Sequence, residues 1–155
     1  RNAVEEKERL RTLTAGTAML VRKNTLCGVR TEEGFIYTEV IPGKDITMNE
    51  QVKAGEVFRL SDLLSYEKGS VVNMDVASNP NMKFVVMAFD AGTGLSEHSA
   101  PGDALIFALE GEGEIVYEGT PHSLKAGDQF RMAKGGRHSV KANGQFKMAL
   151  LLTLA

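Results

Sequence analysis

Imidazole changes charge near neutral pH and binds divalent metals through a neutral ring nitrogen. This chain has three: His98, His122 and His138. A histidine facing a cavity is suited to general-base work or to metal ligation. The other chemically suggestive residues have plainer readings. Seven methionines are scattered through apolar segments, as expected of gap-filling core side chains rather than a soft-metal site. Glu110, Glu112 and Glu114 alternate and are expected to form a solvated rim. Gly92 and Gly94 are turn glycines; no helix follows to complete a phosphate cradle. The single cysteine, Cys27, has no intrachain partner and sits among apolar neighbours, so a small buried hydrophobe is expected there. A lone cysteine fits a reducing cytoplasm.

The elements that position these residues read as β structure. Sixteen glycines against four prolines and no tryptophan suggest many tight turns. From Val71 onward, short apolar runs are predicted as strands at 70–76, 82–90, 95–99, 104–110, 113–118, 121–124, 128–132, 137–142 and 145–153. Asn143-Gly144 is the strongest hairpin signal, because both residues tolerate positive φ. Strands at this spacing imply a sandwich or barrel, and a barrel or jelly roll limits exposed edges. Upstream, Asn2 with Glu5 resembles a capping box, and a short solvated helix is predicted over Val4 to Leu13. Thr25 to Arg30 and Phe35 to Ile41 are predicted as two strands around Glu32-Glu33-Gly34. Residues 42–55 read as loop, and Phe58 to Leu64 as a strand end followed by one helical turn. Lys53 to Leu60 echoes Lys125 to Met132, but the flanks differ and chance similarity explains it.

Composition narrows the function classes. At 155 residues, 43% hydrophobic and 25% charged, the chain suits one domain with a substantial core. A net charge of −2 leaves no basic excess for nucleic acid. No apolar run approaches the roughly 20 residues of a membrane span. There is no basic start followed by an apolar stretch, so no signal peptide is expected.

Two segments carry a family resemblance. Ala88 to Gly113 resembles the first cupin motif: His98 falls on its first histidine, and Leu109-Glu110-Gly111-Glu112-Gly113 matches the run around its closing glycine. Gly127, Gly135 and His138 match the second motif, with Ala133 at its usual proline. The 15 residues between Gly111 and Gly127 suit the short inter-motif segment of small microbial cupins. The resemblance covers about residues 56–153. It implies an all-β, cupin-type jelly-roll barrel at 56–155, with residues 1–55 as an N-terminal extension of a short helix and β segments packed on it.

Metal-binding cupins hold a divalent ion with three histidines and a glutamate. Here His98 and His138 stand at two of those positions, while Ala100 and Ala104 replace the second histidine and the glutamate. Alanine has no donor atom, and zinc sites generally use roughly three or four protein ligands. Asp103 is the nearest acid that could substitute. His122 lies on the strand between the motifs and is expected at the surface. The resemblance therefore implies a small-molecule-binding cupin whose pocket is lined by His98, His138, Ala100 and Ala104, with a weak or absent divalent metal. One alternative is a metal-dependent enzyme, with Fe, Mn, Ni or Zn on His98 and His138, acting as isomerase, decarboxylase, lyase or dioxygenase on a sugar or keto acid. Another is a sensory or assembly module. By family analogy the chain is expected to be a homodimer.

Overall fold

The computed structural model describes residues 10–154. Two long strands form its spine, and the sequence bends both. β7 (Ala104–Tyr117) and β10 (Arg137–Thr153) pair antiparallel along nearly their whole length. The expected hairpin at Asn143-Gly144 is absent. Instead the register jumps between Asn143, opposite Glu112, and Phe146, opposite Gly111, so Gly144 and Gln145 bulge out of one continuous strand. Gly144, at φ +78°, supplies the left-handed backbone that a turn would also require, which is why the sequence signal misleads. The break expected at Gly111 to Gly113 is absent for a matching reason. A Cβ on Gly111 would strike the Gln145 carbonyl, and one on Gly113 would lie 2.7 Å from the Phe146 ring. These glycines let two strands cross closely instead of ending them.

The bend divides one eight-stranded sheet into two facing halves. The last part of β10 pairs with β5 (Met82–Phe89), which continues through β4 (Val71–Asn79) to the short β2 (Thr47–Met48). The first part of β10 pairs with β6 (Gly94–Ser99). β7 adds β9 (Gln129–Met132) near its start and β8 (Thr120–Lys125) near its end. Strands that serve both halves of a sheet make a jelly roll.

Alternation sorts side chains to the two faces. On β5, Met87 and Phe89 point inward, joining Ile106, Ile115, Phe146 and Met148 in the core between the halves. Val86 and Ala88 point outward into a second cluster, roofed by Val52, Leu60, Leu64 and Tyr66 from the preceding segment. Each large apolar side chain removed fully from water contributes about 1.5–3 kcal/mol. β1 (Ala18–Met19) pairs with β3 (Val57–Phe58), and a 3₁₀ turn follows at Leu60–Asp62, matching the expected strand end and turn.

The N-terminal expectations fare less well. Residues 4–9 of the expected helix lie outside the described residues, and residues 10–13 are not helical. Thr25 to Arg30 and Phe35 to Ile41 form no strands, because no strand of the described residues lies alongside to complete a ladder. Cys27 is exposed rather than buried, since its segment stands off both clusters. No helix among the described residues is long and apolar enough to cross a membrane.

Candidate functional site

His98 and His138, far apart in the chain, are direct cross-strand partners on β6 and β10. Side chains of such partners share a face. Their ring centroids lie 4.2 Å apart, with the planes tilted by 59°. The register slips between His138 and Val140, so the pair sits at an irregularity of the β6–β10 ladder. Each ring folds back onto the carbonyl two residues before it: His98 Nδ1 lies 2.8 Å from Ser96 O, and His138 Nδ1 lies 3.2 Å from Gly136 O.

A carbonyl only accepts hydrogen bonds, so both Nδ1 atoms carry the proton. In the neutral rings both Nε2 atoms are then bare acceptors. His138 Nε2 has no hydrogen-bond partner among the described residues, yet no buried side-chain nitrogen or oxygen among them lacks one. That atom therefore keeps contact with the surface, although His138 as a residue is only 5% exposed. His98 is exposed at the open edge. Burial pushes the His138 pKa below its ordinary 6.5; the Gly136 carbonyl opposes this, and the positive form of His98 adds to it. One residue along each strand, Glu97 and Arg137 form a 2.6 Å ion pair that ties β6 to β10.

The remaining sequence candidates are placed as follows. Ala100 is buried, and its backbone is paired to the second-motif loop: its N–H donates to Gly136 O at 3.0 Å, and its carbonyl accepts from Gly135 N–H at 2.8 Å. Ala104 is buried opposite Met132, so methyl and thioether groups fill that part of the interior. Asp103 accepts the Lys134 N–H at 2.9 Å and faces Arg131 at 3.7 Å, so it is engaged in the loop rather than replacing a ligand. Among the described residues no group of three or more His, Cys, Asp or Glu is arranged to hold a metal. The donor set is two imidazoles, short of the roughly three protein ligands of an open catalytic site. A full cupin-type metal centre does not fit these residues.

Two hollows lie away from the histidine pair. One, of about 420 Å³, is lined by Arg30, Thr31 and Glu32; the other, of about 250 Å³, lies beside Glu112, Glu114, Ser123 and Lys141.

Sequence reasoning missed three features. His122, expected at the surface, pairs with the fully buried Ile115, so it shares the inward face and is partly covered. Its ring packs 4.8 Å from that of Phe130, whose other neighbour, Tyr117, meets it edge-on at 5.5 Å. The available signal was strand parity, because Leu124, two residues on, is a core residue. Lys147 is buried on the outer face, and Tyr66 packs over it. Glu110 is not merely a solvated rim residue: it accepts a short hydrogen bond from the Tyr66 hydroxyl and lies 3.4 Å from Lys147 Nζ.

A family model described as a cupin domain matches residues 85–154. Among solved structures, a cupin 2 conserved barrel domain protein from Leptotrichia buccalis is 35% identical with a TM-score of 0.60, over 63% of this chain and 47% of that one. A conserved protein of unknown function from Streptococcus pyogenes is 22% identical with a TM-score of 0.65, over 70% of this chain and 96% of that one. A cupin superfamily protein from Desulfitobacterium hafniense is 24% identical with a TM-score of 0.60, over 62% of this chain and 88% of that one. The last two show likeness of fold alone. No curated protein matches the chain.

Proposed function

The chain belongs to the cupin superfamily through residues 85–154, and from that premise we propose that it binds a small polar molecule at the barrel mouth, contacted by His98 and His138, without a resident metal. The observation that carries the reading is the paired imidazoles, each with Nδ1 held by a backbone carbonyl and Nε2 left for a ligand. Binding sites are mostly apolar with a few placed polar groups, and a buried imidazole in a barrel whose interior also holds the buried Ala100, Ala104 and Met132 has that composition. In this reading Ala100 and Ala104 contribute apolar wall where other cupins place donors.

The test follows the histidine Cε1–H resonances of uniformly labelled protein against glucose, resorcinol, pyruvate and succinate. At least one compound is expected to move the His98 and His138 signals together, and to lose its effect in His138→Phe. If none of them moves either signal, the reading fails. Elemental analysis of untagged protein is expected to find divalent metal far below stoichiometry. A stoichiometric ion that disappears in His98→Ala would instead favour the metal-dependent enzyme.

A second, compatible reading is self-association through residues 21–41. Leu26, Ile36 and Ile41 are 96%, 98% and 80% exposed, an unusual amount of apolar surface for one segment. A second copy of this chain, offering the same surface in return, is the partner this reading takes. Sedimentation velocity is expected to show a dimer that Ile36→Asp dissociates; a monomeric wild-type protein would refute it.

A further inference from the structure

The third histidine shares the inward face of the sheet with the pair, and aromatic side chains stand on the strands between them. His138 is the direct cross-strand partner of Tyr117 on β7, as it is of His98 on β6. Tyr117 meets Phe130 edge-on at 5.5 Å, and Phe130 packs against His122 at 4.8 Å. Tyr117, Phe130 and His122 are each only partly covered. The Tyr117 oxygen accepts the Ala133 N–H at 3.1 Å and its O–H proton stays free to donate, so this ring offers a ligand its surface and one donor. Gly136 makes room for it: a Cβ there would fall 2.5 Å from the ring. The mouth thus has two unlike parts, a polar end made by the pair and an aromatic wall made by Tyr117, Phe130 and His122, whose rings are inclined to one another by 75° and 45°.

We propose that the wall and the pair form one binding site for a ring-shaped ligand that carries hydroxyl or N–H donors: the ring packs among the inclined rings of Tyr117, Phe130 and His122, stacking on one and meeting its neighbours at their edges, and the donors reach the Nε2 atoms of His98 and His138. The proposal rests on the histidine-pair reading above and adds the ligand's class to it. Flat rings pack favourably on aromatic faces. The donor requirement comes from hydrogen-bond accounting. With both Nδ1 protons committed to Ser96 O and Gly136 O, the neutral pair has two acceptors and no donor to give. The pair alone cannot satisfy a carboxylate, which only accepts, without protonating an imidazole. It can satisfy a hydroxyl.

The test uses the full chain at pH 8, with resorcinol as a flat ring carrying two donors and benzoate as a flat ring carrying only an acceptor. Resorcinol is expected to move the Cε1–H signals of His98, His138 and His122 together, with benzoate much weaker. His122→Ala is expected to weaken resorcinol by about three- to tenfold, the contribution of one aromatic contact. His122→Phe keeps a flat ring and is expected to retain most of the affinity, which guards against a variant that only disturbs the strand. If resorcinol moves His98 and His138 but not His122, and His122→Ala binds as well as wild type, the extended site is overturned while the histidine-pair reading stands. Benzoate binding as tightly as resorcinol overturns the donor requirement. If resorcinol moves none of the three signals, the ligand class is overturned, whatever glucose, pyruvate or succinate do at the pair.

Discussion

His138 and Lys147 lie on the same strand, and they are the only ionisable side chains that the described residues bury, yet the fold treats them oppositely. Lys147, on the outer face, has its partners supplied. Nζ donates to Ser61 O at 2.7 Å, lies 3.4 Å from Glu110 Oε2, and sits 4.7 Å above the Tyr66 ring. Tyr66 in turn donates to Glu110, and its own pKa is raised, first by burial and then by that carboxylate, so the phenol stays a donor. His138, on the inner face, has one nitrogen satisfied and the other left open. Burying a charge is costly unless it is paired. Lys147 meets that cost with neighbours, and His138 meets it by giving up its proton more easily. A buried group with a complete set of partners serves the fold; one kept neutral with a free nitrogen is what the proposed ligand site requires.

The largest effect is expected from removing the satisfied group. Lys147→Ala leaves the Ser61 carbonyl without its donor, takes the cation from Glu110 and from the Tyr66 ring, and empties the space of a long side chain, so chemical denaturation should show a loss of about 2–4 kcal/mol. Lys147→Met restores most of the volume. Because Glu110 is half exposed and can be rehydrated, the methionine variant should lose no more than about 1.5 kcal/mol. Neither change should move the His98 and His138 resonances. A loss of stability in Lys147→Ala below about 0.5 kcal/mol, ordinary for a surface position, would mean that the outer cluster does not depend on it.

This division between faces was only partly legible in the sequence. The strands after Val71 were legible because their apolar runs are bounded by turn residues, and most ranges agree within a few residues. The joins of β7 and β10 were not, because Gly111, Gly113 and Asn143-Gly144 serve a bend with the same residues that would make a turn. Pattern alone does not reveal whether two strands separated by glycine are collinear; that depends on which strand lies across from them. His98 and His138 were found through motif spacing, a record of a shared fold. Nothing in that spacing reports the Nδ1 contacts, which depend on local backbone at Gly136 and Ser96. His122 was misplaced although its parity with Leu124 pointed inward. Lys147 does not stand out because a lysine in an apolar run reads as a strand's solvated face, and two of its partners, Ser61 and Tyr66, come from a segment some eighty residues earlier.

A smaller effect should separate the two groups by pH. His138 binds its proton more weakly folded than unfolded, so between its depressed folded pKa and about 6.5 the unfolded chain holds more protons. The contribution of neutral His138 is therefore fully present above that window, and is lost as pH falls through it. The melting temperature should decline from pH 7 toward pH 5, and His138→Gln should flatten part of that decline. At pH 7 itself His138→Gln should lie within about 1 kcal/mol of wild type. A decline equally steep in the glutamine variant would place the acid sensitivity elsewhere, for instance among the paired carboxylates.

The smallest effect concerns His98, which shapes its neighbour more than the fold. It is exposed, and His98→Ala should change stability by less than about 0.5 kcal/mol. The change should nevertheless be visible at His138, because two of the causes that depress its pKa act through this contact. Removing His98 takes away a competing positive charge, and it also opens the buried ring to water, relieving the dominant burial cause. Both effects have the same sign, so the His138 Cε1–H titration midpoint should rise. A His98→Phe variant removes the charge but keeps the cover, and should produce only part of the rise. The order wild type, His98→Phe, His98→Ala in ascending midpoint would show burial and charge acting separately on one imidazole. A midpoint that stays put in all three would mean that the two rings are neighbours without being coupled, and that the barrel mouth holds two independent histidines instead of a pair.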